Sequence, residues 1–127
     1  MKVKLGALRA TLMDLASLGL EVVGFLLGSR SGDHIDVKAL YRVDNELGSP
    51  VEFRANPWQT VQAHNVANLY QLEVVALYHT HPSCPPTPSL LDLRGMRLWP
   101  IPWVIACRDD VKAWTLEEDG VREVEIE

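Results

Sequence analysis

The sequence predicts an α/β (α+β) fold, a mixed β-sheet with helices packed against it. Three observations carry this. Apolar residues near the N-terminus recur at helical spacing, short β-branched runs bounded by Gly, Pro and Asp follow, and two further helical stretches separate those runs. With 127 residues, 47% of them hydrophobic, the chain suits a single domain spanning residues 1–127 with a real core.

Leu5, Leu8, Leu12, Leu15 and Leu18 form an amphipathic stripe, and Gly19 ends that helix. Val22 to Leu27 reads as a buried strand, closed by Gly28-Ser29-Arg30-Ser31-Gly32. His34 to Val43 reads as its hairpin partner. Asp44 to Asn56 is polar and reads as a loop. Pro57 to Gln71 opens with a proline that the first helical turn tolerates, and continues without a breaker. Glu73 to Tyr78 is a strand running into His79. Pro82 to Pro88 contains four prolines, which remove backbone donors and exclude regular structure. Ser89 to Arg97 is a short helix. Ile101 to Cys107, Val111 to Leu116 and Val121 to Ile126 complete the sheet as three strands.

The net charge of −5 and the lack of a basic stripe argue against a nucleic-acid partner. No apolar run approaches the roughly 20 residues of a membrane span, and no signal-peptide pattern opens the chain. The expectation is a soluble cytoplasmic protein.

His79-Thr80-His81 places two imidazoles on one face of a strand, because alternate residues share a face. Such a pair can chelate one ion, and catalytic zinc takes three protein ligands with a fourth position open. Taken alone, the pair reads first as two incidental histidines at a strand end or surface. Its place at a strand-to-loop junction favours function. Ser89-Leu90-Leu91-Asp92 reads first as a helix start, with Ser89 as cap and Asp92 near the positive helix end. The same geometry can present Asp92 as a ligand and Ser89 as an oxyanion donor. Glu21 precedes the buried strand and is either an exposed strand-start residue or a general base.

His79-Thr80-His81-Pro82, six residues, Ser89, two residues, Asp92 resembles the His-x-His-Pro-x6-Ser-x2-Asp signature of the JAMM (MPN+) metalloproteases. Glu21-Val22-Val23-Gly24-Phe25-Leu26-Leu27-Gly28 is similar to the family's Glu-x-x-Gly-(Leu/Phe)-Leu-x-Gly strand. The resemblance covers nearly the whole chain and implies the MPN/JAMM fold, related in layout to the cytidine deaminases. It implies one zinc held by His79, His81 and Asp92. Glu21 would pass a proton from water to the leaving amine, and Ser89 would stabilise the tetrahedral intermediate. The implied reaction is isopeptide or peptide hydrolysis after the tail of a ubiquitin-like modifier. Release of an amino acid such as cysteine from a sulfur-carrier protein is the alternative, and both partners would end in an extended Gly-Gly tail. A metal-free MPN binding module is a further alternative, disfavoured because every ligand position is filled. A nucleobase deaminase needs His-x-Glu and Pro-Cys-x-x-Cys, which are absent. The chain has no room for the long second insertion of larger relatives.

An extended tail would pair with a strand edge near the metal, and Val51 and Phe53 are expected to line part of that groove. Cys84 lies in the proline-rich loop and Cys107 ends a strand. They could be unrelated, or bridged if their Cα atoms lie within roughly 4.4–6.8 Å. Trp99, Trp103 and Trp114 are expected to pack in the core, and core is favoured over substrate contact for Trp58.

Overall fold

A computed structural model describes residues 1–19, 21–44 and 56–127. The expected loop tip with Val51 and Phe53 lies outside the described residues.

The chain runs β1 (Lys2–Lys4), α1 (Leu8–Ala16), β2 (Val23–Ser31), β3 (His34–Val43), α2 (Pro57–Leu69), β4 (Glu73–Thr80), α3 (Leu90–Leu98), β5 (Trp103–Ala106), β6 (Val111–Glu117) and β7 (Gly120–Ile126). The α+β class and the order of helices and strands follow the expectation. One feature differs from it. The N-terminal helix begins at Leu8 rather than Leu5, because Gly6 takes φ +57 and Lys2–Lys4 is extended. The mixed sheet also closes into a barrel, a feature the sequence did not address.

The sheet order is β1-β3-β2-β4-β5-β6-β7, and β1 joins both ends by pairing in parallel with β3 and β7. Only Val3 of β1 is buried, so this short strand carries no hydrophobic pattern for sequence reasoning to detect. Its partners become clear only when the C-terminal strand returns. Glu127 then donates from its backbone N–H to the Val3 carbonyl at 2.8 Å.

Leu12 and Ala16 of α1 pack with Val3, Leu26, Ile35, Tyr78 and Val104 in one core cluster. Ala63 and Ala67 of α2 and Met96 of α3 pack with Phe25, Leu77 and Trp103 in a second. From Ala76 to Tyr78 the side chains of β4 alternate between these clusters, as the two-residue period of a strand requires. Gly24 on β2 is required where the Tyr78 ring of the neighbouring strand β4 lies against it, since a Cβ there would lie 2.5 Å from that ring. Asn56 caps α2 by accepting from the Gln59 N–H at 3.1 Å, with Pro57 following it.

Trp103 is fully buried, and Trp99 and Trp114 are partly buried. Trp58 is not a core residue. It is 76% exposed, because α2 turns Ala63 and Ala67 inward and leaves Trp58 on the opposite face. Among the described residues, no helix is long and apolar enough to cross a membrane.

Candidate metal centre

Antiparallel pairing of β2 with β4 sets Val23 opposite His79. The segment before β2 is therefore brought to the end of β4. Two hydrogen bonds hold it there. The Thr80 N–H donates to the Val22 carbonyl at 2.9 Å, and the Val22 N–H donates to Thr80 Oγ1 at 2.8 Å. Thr80 thus has a task that the sequence reading, which treated it as a spacer, missed. Its buried hydroxyl fixes the residue next to Glu21. The threonine between the two histidines was the available signal.

On the other side, α3 starts with a capping box. Asp92 N–H donates to Ser89 Oγ at 3.1 Å, and Ser89 N–H donates to Asp92 Oδ2 at 2.8 Å. The cap turns the Asp92 carboxylate back toward β4. A close approach of α3 to the sheet completes the placement. At Gly95, a Cβ would lie 2.5 Å from the Trp103 ring, so only glycine lets α3 sit this low. The Trp103 ring in turn meets the edge of His79 with centroids 5.4 Å apart.

The result is a cluster of Glu21, His79, His81 and Asp92, each offering one ligand atom, with these atoms all within 4.8 Å of one another. His79 Nε2 lies 3.1 Å from Asp92 Oδ1, and His81 Nε2 lies 2.9 Å from Asp92 Oδ2. Donors at the zinc distances of about 2.0–2.1 Å stand about 3.3 Å apart in a tetrahedron. The observed separations are close to that value, and the donor set is one zinc favours, so the residues fit the ion. His79 Nδ1 faces Glu21 Oε1 at 3.4 Å. Glu21, His79 and Asp92 are buried, and His81 is half-buried. Ser89 is exposed.

The electrostatics suit a cation. Burial opposes charge on both Asp92 and His79. For Asp92, hydrogen bonds from His79, His81 and the Ser89 backbone outweigh burial and hold the carboxyl far below its ordinary range. For His79, the Asp92 and Glu21 carboxylates outweigh burial and raise the imidazole above its usual value. Without a metal the cluster attracts a proton, and a metal cation would take that proton's place.

Cys84 and Cys107, whose relation the sequence left open, form a disulfide with Cα atoms 5.2 Å apart.

The family described as prokaryotic homologs of the JAB domain matches residues 7–117. The chain belongs to that family. The JAB domain here is 40% identical over 121 residues to a desampylase of Pyrococcus furiosus, covering 94% of this chain and 84% of that protein. It is 32% identical over 99 residues to a probable TtuB-protein conjugate cleaving protease of Thermus thermophilus, covering 77% of this chain and 63% of that one. A solution structure of a protein from Desulfitobacterium hafniense superposes with a TM-score of 0.87 at 26% identity, covering 100% of this chain and 92% of that one. One from Salinibacter ruber gives a TM-score of 0.71 at 27% identity, covering 99% and 90%. The JAMM family recognised in the motif is therefore the family of this chain, and this JAB domain is a hydrolase of the JAMM type.

Proposed function

We propose that this JAB domain is a zinc-dependent peptidase that cleaves the bond after the C-terminal tail of a ubiquitin-like protein, releasing it from conjugates. The observation that carries the reading is the convergence of Glu21, His79, His81 and Asp92 within 4.8 Å. The names of the two curated relatives, a desampylase and a conjugate cleaving protease, support a conjugate as substrate.

His79, His81 and Asp92 would hold the zinc, which polarises the scissile carbonyl and acidifies the attacking water. The Glu21 carboxylate then accepts the water's proton and returns it to the departing amine. Ser89 faces the reacting carbonyl. Its Oγ lone pair accepts the Asp92 N–H in the cap, which leaves the hydroxyl hydrogen free to donate to the developing oxyanion. Capping and catalysis are thus compatible in one rotamer.

Strand β1 covers β3 only from His34 to Asp36. Among the described residues, Val37–Val43 has no strand partner on that outer side. Val43 lies opposite Val23, which lies opposite His79, so this edge ends level with the cluster, two strands from it. An extended Gly-Gly tail added along it would cross the end of β2 to bring its last carbonyl to the metal. The closing of β1 against β7 supports reading residues 1–127 as one domain.

The test is hydrolysis of a fusion between a Gly-Gly-ending ubiquitin-like protein and a lysine-linked target. Activity is expected to vanish with a chelator and return with zinc. A carrier–cysteine adduct assayed in parallel separates the sulfur-carrier alternative. A protein that neither takes up zinc nor cleaves either substrate overturns the reading.

A further inference from the structure

The two histidines and Asp92 stand on separate elements joined by residues 82–88. His79 lies within β4 and His81 directly follows it, and the His81 N–H is tied to the Ala106 carbonyl of β5 at 2.8 Å. Asp92 lies in the first turn of α3. Pro82, Pro85, Pro86 and Pro88 supply no backbone donors, which leaves Ser83, Cys84 and Thr87, and the Thr87 N–H donates within the connection to the Pro85 carbonyl at 2.9 Å. Among the described residues, two side chains fasten it instead. The Cys84–Cys107 bridge ties it to the residue after β5, and the Trp114 indole N–H of β6 donates to the Pro86 carbonyl at 3.0 Å.

The bridge lies very close to the metal ligands. Cys84 is three residues beyond His81, and Cys107 follows Ala106, the residue that accepts the His81 N–H. His81, Cys84, Cys107 and Ala106 therefore close a small ring through one covalent bond and one hydrogen bond. This ring sets the direction in which the chain leaves His81, and hence where Ser89 and Asp92 arrive. The two sulfurs differ in access. Cys107 is fully buried, whereas Cys84 is exposed. Cys84 lines a cleft of about 270 Å³ together with Ala16, Ser17, Pro82, Arg108 and Asp109.

We propose that Cys84 and Cys107 are positioning residues for the metal centre, and that their bridge is a redox-sensitive latch: closed, it holds Asp92 in register with His79 and His81, and opened by a dithiol, it lets that span slacken and weakens metal retention. The inference rests on the zinc reading above. A thiolate of the dithiol attacks Cys84 Sγ from the cleft, the Sγ–Sγ bond breaks, and Cys107 departs as a thiolate that takes up a proton. The second thiol of the reagent then displaces Cys84. Two electrons have passed to the bridge, which ends as two thiols, while the reagent ends as a cyclic disulfide. The α3 helix persists, but the three ligands must be gathered at an entropic cost that the closed bridge removes.

The test is zinc affinity of the full chain, measured by competition with a chromogenic chelator. Three samples are compared: oxidised protein, protein reduced with dithiothreitol and desalted without air, and the reduced protein reoxidised. The Cys84→Ser/Cys107→Ser double variant is a fourth sample and excludes new thiolate ligands. The expected result is zinc binding weakened by about 10-fold or more in the reduced protein and the double variant, the lower range for losing support around a ligand, with reoxidation restoring it. Far-UV circular dichroism on each sample identifies folded protein, and if the double variant does not fold, the reduced and reoxidised pair decides. Equal zinc affinity in folded oxidised and reduced protein overturns the latch, even if reduction lowers the melting temperature. Failure of the oxidised protein to bind zinc overturns the zinc reading itself, and the latch with it.

Discussion

Replacing Glu21 by Gln separates proton transfer from metal holding. Glu21 is buried and its Oε1 lies 3.4 Å from His79 Nδ1. That is well beyond the 2.7–2.9 Å of a strong charge-assisted hydrogen bond. The amide oxygen of Gln can accept from the same Nδ1–H, so the ring keeps an acceptor there. Zinc affinity should fall by less than ~10-fold, below the loss seen when a metal-bound histidine loses its orienting partner. Basicity, however, is removed outright. General acid–base catalysis contributes about 100- to 10,000-fold, so kcat should fall at least ~100-fold, a barrier increase of about 2.7 kcal/mol. The assay pairs turnover of a ubiquitin-like fusion at saturating zinc with chelator competition on the same preparation. Turnover near that of the parent protein with full zinc would refute the proton-transfer role. A zinc-affinity loss large enough to account for all the lost turnover would make Glu21 an orienting carboxylate for His79 instead.

Ser89→Ala should cost about 0.5–2 kcal/mol of stability through loss of the cap and cut kcat by about 100- to 1000-fold with KM little changed. Thermal unfolding with unchanged turnover would leave Ser89 as a cap only. Thr80→Val keeps shape but strands the buried Val22 N–H. It should cost about 1–3 kcal/mol, with Thr80→Ser recovering most of it, and denaturant unfolding showing a loss under about 0.5 kcal/mol would refute the clamp. The metal-free protein should be most stable between about pH 4 and 6.5, the ordinary aspartate and histidine values. The depressed Asp92 contributes stability that is present above the first value and lost as pH falls through its folded pKa. The raised His79 contributes stability that is present below the second value and lost as pH rises through its folded pKa. Zinc should remove the alkaline decline by replacing the proton, and melting curves of metal-free and zinc-loaded protein that run parallel with pH would contradict this.

The donor residues were legible in the sequence because short-range geometry determines them. His79 and His81 share a face through the strand period, and Ser89 with Asp92 forms a capping box whose spacing is set by one helical turn. The same local rules marked α2, β3 and the proline-rich loop. What brings the pieces together is not local. Glu21 lies 58 residues before His79 and meets it only because β2 and β4 pair in one particular register, which Thr80 locks from the side. Sequence could offer Cys84 and Cys107 as a pair but not their separation, since their approach depends on β5 lying parallel to β4. It also misplaced Trp58, because a helix with apolar residues on both faces does not say which one the sheet will cover. Closure of the barrel was equally out of reach. Lys2–Lys4 has almost no pattern of its own, and its strand exists because β3 and β7 present backbone donors and acceptors on either side of it. Local periodicity and spacing, together with the resemblance to the JAMM signature, thus pointed to the candidate residues, while long-range strand pairing, whose partners are set by the packing of the whole chain, decided that they meet.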